Sequence, residues 1–230
     1  MSLVSINQDA LRTVLRNIHK HSPCPNHTQI IAVTKKFRYT AIIDAIKNNI
    51  FCIGENHVQE FAQKKREISN QKFESHLIGH LQSNKINKAI DLFDVIQTVD
   101  TFKLAQKINE NLKALNKHQT VYLQLNIGND PKKHGFSKKE IMTQAEKINK
   151  LSNIKLSGIM TILPYLEKPY ETQALYSDTR KIQKKIKENI NIKCTNLSMG
   201  MSRDYIYALK EGATHIRIGT ALYGTRPTTI

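Results

Sequence analysis

The sequence predicts an α/β protein folded as one (β/α)8 TIM barrel, a single domain over residues 1–230. Three observations lead there. Short runs rich in apolar and β-branched residues recur eight times. A helical pattern follows each of the first seven, so the runs form βαβ units whose right-handed crossovers give a parallel sheet. Eight such units in 230 residues match the size of a compact closed barrel. A doubly wound open sheet is the competing arrangement of the same elements. No internal repeat and no linker-like composition divides the chain.

Taken in order, an amphipathic helix runs from about Ile6 to His21. It carries Leu11, Val14, Leu15 and Ile18 on one face, with Ser5 or Asn7 available as its cap. Ser22-Pro23-Cys24-Pro25-Asn26 breaks it. Ile30-Ile31-Ala32-Val33 is a buried strand that runs out on Thr34-Lys35-Lys36. A helix from Thr40 to Asn48 follows, then a strand over Phe51-Cys52-Ile53-Gly54 that leads into Glu55-Asn56. The next helix, charged on one side, spans Val58 to about Ser69. His76 to His80 is the third strand, and Ser83 or Asn84 caps the helix bearing Ile86, Ala89 and Ile90. Val95 to Val99 is the fourth strand, with Asp100 or Thr101 capping a helix to about Leu115.

Val121 to Ile127 is the fifth strand. Its exit loop over residues 128–136 holds the turn signal Asn129-Asp130-Pro131, and Ser137 caps a helix to about Leu151. Lys155 to Met160 is the sixth strand. A loop with Pro164 and Pro169 precedes a helix from Tyr170 to Asn189. Cys194 to Ser198 is the seventh strand, Met199-Gly200-Met201 its exit loop, and Ser202 the cap of a helix to Gly212. His215 to Ile218 is the eighth strand, and Gly219-Thr220 leads to a closing turn near Tyr223-Gly224.

Composition narrows the function. No apolar run reaches the length needed to cross a bilayer, and Met1-Ser2-Leu3-Val4-Ser5 lacks the basic start of a secretory leader. Three widely spaced cysteines, Cys24, Cys52 and Cys194, suit reduced thiols in the cytoplasm, without a disulfide framework or a zinc site. The net charge of +16 invites a polyanion. The lysines, however, are scattered over every helix surface and not interleaved with aromatics, which argues against nucleic acid. Such a charge still draws in small anions such as phosphates.

A barrel of this kind works at the carboxyl ends of its strands. Those ends carry Lys35, Glu55-Asn56, His80, Asn126, Met160, the stretch Ser198 to Ser202, and Gly219-Thr220. A lysine ending a buried strand leaves its stem in apolar surroundings. Desolvation there favours the neutral amine, a nucleophile toward aldehydes. The plainer reading is that Lys35 and Lys36 simply meet water at a strand end. The last two strand-to-helix junctions present free backbone N–H groups, and phosphate sites after strands seven and eight recur in barrels. A lysine and two anion-favouring junctions together suggest an aldehyde-bearing phosphate ester, and pyridoxal 5′-phosphate (PLP) fits. By strand alternation Arg217 faces opposite to Ile216 and Ile218, into the barrel. It then pairs with an internal acid or meets a cofactor ring nitrogen, and the pattern leaves both open.

Several stretches carry a resemblance. They are Ala32-Val33-Thr34-Lys35, Gly54-Glu55-Asn56-His57-Val58-Gln59-Glu60, Leu77 to Lys85, Lys133-His134-Gly135-Phe136, Gly158-Ile159-Met160, Leu197 to Ser202, and Arg217 to Gly224. In this order they resemble the pyridoxal phosphate homeostasis protein family, small PLP-binding proteins related to the alanine racemase N-terminal barrel (fold-type III). The resemblance implies Lys35 as the Schiff-base lysine, with phosphate contacts from Ser198, Gly219 and Thr220. It implies Arg217 at the pyridine nitrogen and Asn56 and Met160 around the ring. Three positions depart from the family pattern: Lys36 for threonine, Ser75 for an aromatic, and Arg203 for aspartate.

Racemases of this fold draw a second base from a separate β-domain, and the chain ends at Ile230 soon after the eighth strand. An arginine at the ring nitrogen also leaves the pyridine a poor electron sink. The expectation is therefore a non-enzymatic, monomeric, cytoplasmic PLP carrier that buffers the cofactor or passes it to PLP-dependent apo-enzymes. The alternative is a weak racemase using His80 or Tyr165 as second base.

Overall fold

A computed structural model describes residues 5–68 and 70–225. The expected termini of the domain, the reading of Met1 to Val4, and the helix end at Ser69 lie outside the described residues. The first helix, α1 (Gln8–His21), is capped by Asn7, whose side chain accepts from the Ala10 N–H at 3.0 Å. Eight strands then alternate with helices: β1 (Gln29–Val33), α2 (Thr40–Lys47), β2 (Cys52–Glu55), α3 (Val58–Glu67), β3 (Glu74–Leu77), α4 (Ile86–Leu92), β4 (Val95–Val99), α5 (Phe102–Ala114), β5 (Gln119–Leu125), α6 (Ile141–Asn149), β6 (Ile154–Thr161), α7 (Pro169–Asn189), β7 (Asn196–Met201), α8 (Tyr205–Lys210), β8 (His215–Ile218) and α9 (Thr220–Tyr223).

The strands are all parallel and pair in sequence order, and β8 pairs with β1 to close the barrel. Closure excludes the open doubly wound sheet. Strand alternation divides the burial into two layers. Residues such as Ala32, Ile53, Leu77, Leu123, Leu197 and Ile216 point outward into the main core beneath the helices. Several inward-facing residues are polar: His76, Gln97, Ser198, His215 and Arg217 are all buried. Val95, Tyr122 and Met160 form a small apolar cluster apart from the main core.

Among the differences from the sequence reading, two strands bear on the site. The seventh strand runs on to Met201 instead of stopping at Ser198. Its pairing with β8 shifts register between Ser198 and Met201, and Gly200 takes φ +89 where a Cβ would meet Ala208 Cβ at 2.6 Å. The third strand is shorter than expected and ends at Leu77, so His80 sits on a loop. Thr101 rather than Asp100 caps α5, accepting from the Leu104 N–H at 3.2 Å.

Candidate functional site

The carboxyl ends of the strands surround a cleft of about 820 Å³. Lys35, Asn56, Arg217, Gly219 and Thr220 all lie on its wall, joined by Ser202, Arg203 and the β6–α7 loop with its exposed Tyr165. Strands far apart in sequence thus bring the expected lysine, amide, arginine and last-strand junction together.

The backbone around Lys35 is clamped from both sides. Thr34 is fully buried, and its hydroxyl donates to Glu55 Oε1 at 2.6 Å. Lys64 of α3 donates to the Thr34 carbonyl at 2.8 Å, to Glu55 Oε1 at 2.7 Å and to Glu60 Oε1 at 2.6 Å. The Lys36 N–H in turn donates to Glu60 Oε1 at 2.5 Å. Lys64 is buried, so its charge needs these two carboxylates. Burial raises the pKa of Glu55, and the Lys64 charge opposes that rise. Lys36 adopts a left-handed φ of 64 and is exposed, whereas Lys35 is half-buried on the cleft wall. The two adjacent lysines are thereby separated, one toward the cleft and one toward solvent.

Arg217 lies beneath the cleft, 4% exposed. It donates to Ser198 Oγ at 2.8 Å and to the Thr161 carbonyl at 2.7 Å. Among the described residues it forms no carboxylate ion pair, so the internal salt bridge left open by the sequence does not form. Burial lowers its pKa from the ordinary value, with Tyr176 and Asp204 opposing. Arginine only donates, so Ser198 Oγ accepts from it and passes its own hydrogen to Gln97 Oε1 at 2.6 Å. The Gln97 amide nitrogen then faces His76 Nδ1 at 2.9 Å, and His76 Nε2 faces Glu74 Oε2 at 2.9 Å. Every donor in this chain points from Arg217 toward Glu74, which is half-exposed at the opposite end of the barrel.

Two expected contacts fall elsewhere. Ser198 is fully buried within β7 and off the cleft wall, its hydroxyl engaged with Arg217 and Gln97. The cause is the longer strand, which makes Ser198 a mid-strand residue facing inward. Met160 is fully buried too, packed with Val95 and Tyr122 behind Ile162. Ile162 takes the wall position instead. Ser202, expected only as a helix cap, lies on the wall, and its hydroxyl accepts from the Ala221 N–H at 3.3 Å. It thus ties the two junctions together. Asp204 turns back to accept from the Met201 N–H at 2.6 Å, and Arg203 is exposed on the rim.

Sequence reasoning missed the clamp and the relay. Only the Glu60–Lys64 spacing of four residues was a local signal. Gln97 and Ser198 are 101 residues apart and meet only through barrel closure.

Comparison with known proteins gives the family and the fold. The family model described as alanine racemase, N-terminal domain, matches residues 6–227. A curated relative from Synechocystis sp., named pyridoxal phosphate homeostasis protein, is 34% identical over 88% of this chain and 93% of its own length. The solved structure of PipY from Synechococcus elongatus with PLP bound superposes with a TM-score of 0.83 at 32% identity, covering 94% of this chain and 99% of that one. An alanine racemase from Clostridium difficile shares the fold with a TM-score of 0.75 at 22% identity, over 98% of this chain and 58% of that one. A barrel of this form, matched over nearly its whole length by such relatives, belongs to the pyridoxal phosphate homeostasis protein family, within the group defined by the alanine racemase N-terminal domain.

Proposed function

We propose that the chain binds PLP in the mouth cleft as a Schiff base on Lys35 and serves intracellular vitamin B6 balance, buffering the cofactor or delivering it to PLP-dependent apo-enzymes. The observation that carries this is the meeting of Lys35, Arg217 and the Gly219-Thr220 junction on one cleft. The PLP-bound relative of the same fold supports it. The residues present fit the group. The cleft of about 820 Å³ has room for it, and Asn56 Oδ1 is a buried atom on that wall without a hydrogen-bond partner. Amide ends are assigned from their surroundings, so Asn56 can offer either a donor or an acceptor to a ring substituent.

Within this reading Gly219, Thr220 and Ser202 hold the phosphate. Ser198 supports it indirectly by fixing Arg217, which faces the ring nitrogen. Bound PLP supplies a reactive aldehyde and an electron-withdrawing ring. A guanidinium cannot protonate that nitrogen, which favours holding the cofactor over turning substrates over. We therefore read a carrier and not an enzyme.

The test is an absorbance titration with PLP of the parent, Lys35→Ala and Lys36→Ala. The parent and Lys36→Ala are expected to develop the imine band, and borohydride to fix PLP at Lys35. A band that survives Lys35→Ala would overturn the lysine assignment. Loss of α-deuterium from amino acids at ordinary enzymatic rates would overturn the carrier reading.

A further inference from the structure

Beside the cofactor cleft, three loops bring together a cluster that the cofactor reading does not use. His80 follows β3, Asp100 follows β4 and His134 follows β5. His80 Nδ1 stands 3.0 Å from Asp100 Oδ2, and His134 Nδ1 stands 3.5 Å from the same oxygen. The imidazoles stack with centroids 3.9 Å apart and 13° between planes. All three ligand atoms lie within 4.8 Å of one another.

We propose that His80, Asp100 and His134 form a binding site for a divalent transition-metal ion at the lip of the barrel mouth. Donor atoms bound to zinc at about 2.0–2.1 Å stand roughly 3 Å apart. The separations from Asp100 Oδ2, 3.0 and 3.5 Å, lie close to that spacing. The Asp100 side chain is 5% exposed and the imidazoles 42% and 60%, and because the rings are stacked at 13° they must rotate apart before both Nδ1 lone pairs can meet one ion. Two imidazoles and one carboxylate favour zinc, nickel or copper over magnesium or calcium.

A second observation points to an occupant. The cluster borders a recess of about 230 Å³ whose wall includes Asn56 and Gln124. Gln124 Oε1 is buried there without a hydrogen-bond partner. Water on the open positions of a bound ion is a hydrogen-bond donor and suits such an acceptor. Lys133 turns its amine to the Leu163 carbonyl at 2.6 Å. Lys132, also on the recess, opposes the ion's charge.

A competing cluster, Cys52, Glu74 and His76, is a poorer ligand set. Cys52 already lies 2.8 Å from Gln29 Oε1, and burial pushes its thiol up to about 12. Metals bind the thiolate.

The test uses the tag-free full chain without PLP, titrated calorimetrically with zinc and spectroscopically with cobalt as a visible probe. One ion per chain is expected. His134→Gln and His80→Gln should each weaken binding at least tenfold, with Cys52→Ser unchanged and circular dichroism reporting an intact fold. Asp100→Asn is a further arm that keeps the side chain's size. No saturable one-to-one binding, or binding that persists through both histidine variants, overturns the proposal. Loss in Cys52→Ser alone overturns it too, by moving the ion to the other cluster. Because the readout is metal alone, it stands or falls separately from PLP binding.

Discussion

The floor of the barrel and its mouth treat buried polarity in opposite ways. On the floor, Arg217, Ser198, Gln97, His76 and Glu74 form an unbroken chain of donors and acceptors. At the mouth, Asn56 Oδ1 and Gln124 Oε1 are equally enclosed but lack partners. Buried polar atoms are costly when unpaired. A satisfied set therefore belongs to the fold, and an unsatisfied set on a cavity wall marks where something else binds. The difference separates a relay satisfied within the barrel, which reaches the cleft only at Arg217, from wall atoms left open to a ligand.

The largest expected effect lies on the floor. Gln97→Leu leaves Ser198 and His76 each short of a partner. The expected loss is about 3 kcal/mol, roughly 6–12 °C in Tm for a chain of this length. Thermal melting by circular dichroism checks it, and an unchanged Tm would show that the relay carries no structural weight.

Next comes acid. Burial lowers His215 from its ordinary 6.5 to about 3, with the His76 and Arg217 charges adding and Glu74 opposing. Tyr122 and Thr214 also face it. Between those values the unfolded chain binds a proton that the folded chain refuses. The full contribution is therefore present above about pH 6.5 and is lost as pH falls toward 3. Glu74 is held below its ordinary value by its hydrogen bond to His76, so its contribution fades below about 4.5 in the same direction. Urea unfolding from pH 7 to 4 should show stability falling, and His215→Gln should flatten the slope. A parallel decline in that variant would remove His215 as the cause.

The smallest effect on stability, and the sharpest contrast, is at the mouth. Asn56→Ala should leave Tm within about 2 °C of the parent and weaken PLP roughly tenfold, the worth of one good hydrogen bond. A melting loss as large as that of Gln97→Leu would erase the distinction between the two regions.

How much of this could be read from the sequence follows the same division. Ile216-Arg217-Ile218 places an arginine inside by simple alternation, and the apolar run before Lys35 ends at the mouth by its own length. Alternation failed where the chain bulges. Leu197 to Met201 continues as strand through a left-handed Gly200, which no periodicity signals. Ser198 consequently sits in mid-strand, bonded to Arg217 and Gln97, and Ser202 reaches the cleft wall in its stead. The Lys64 clamp and the cluster of His80, Asp100 and His134 depend on contacts between separate loops and helices, which only closure of the sheet creates.

The one-way order of hydrogens along the floor limits what evolution can place at position 97. A glutamate there would match the glutamine in size, yet it would turn a lone pair toward the lone pair of His76 Nδ1. The imidazole would then have to gain a proton or rotate, and the disturbance would pass through Ser198 to the guanidinium. Polarity, more than volume, favours a primary amide here, so a change at position 97 would still be felt at Arg217 on the cleft wall.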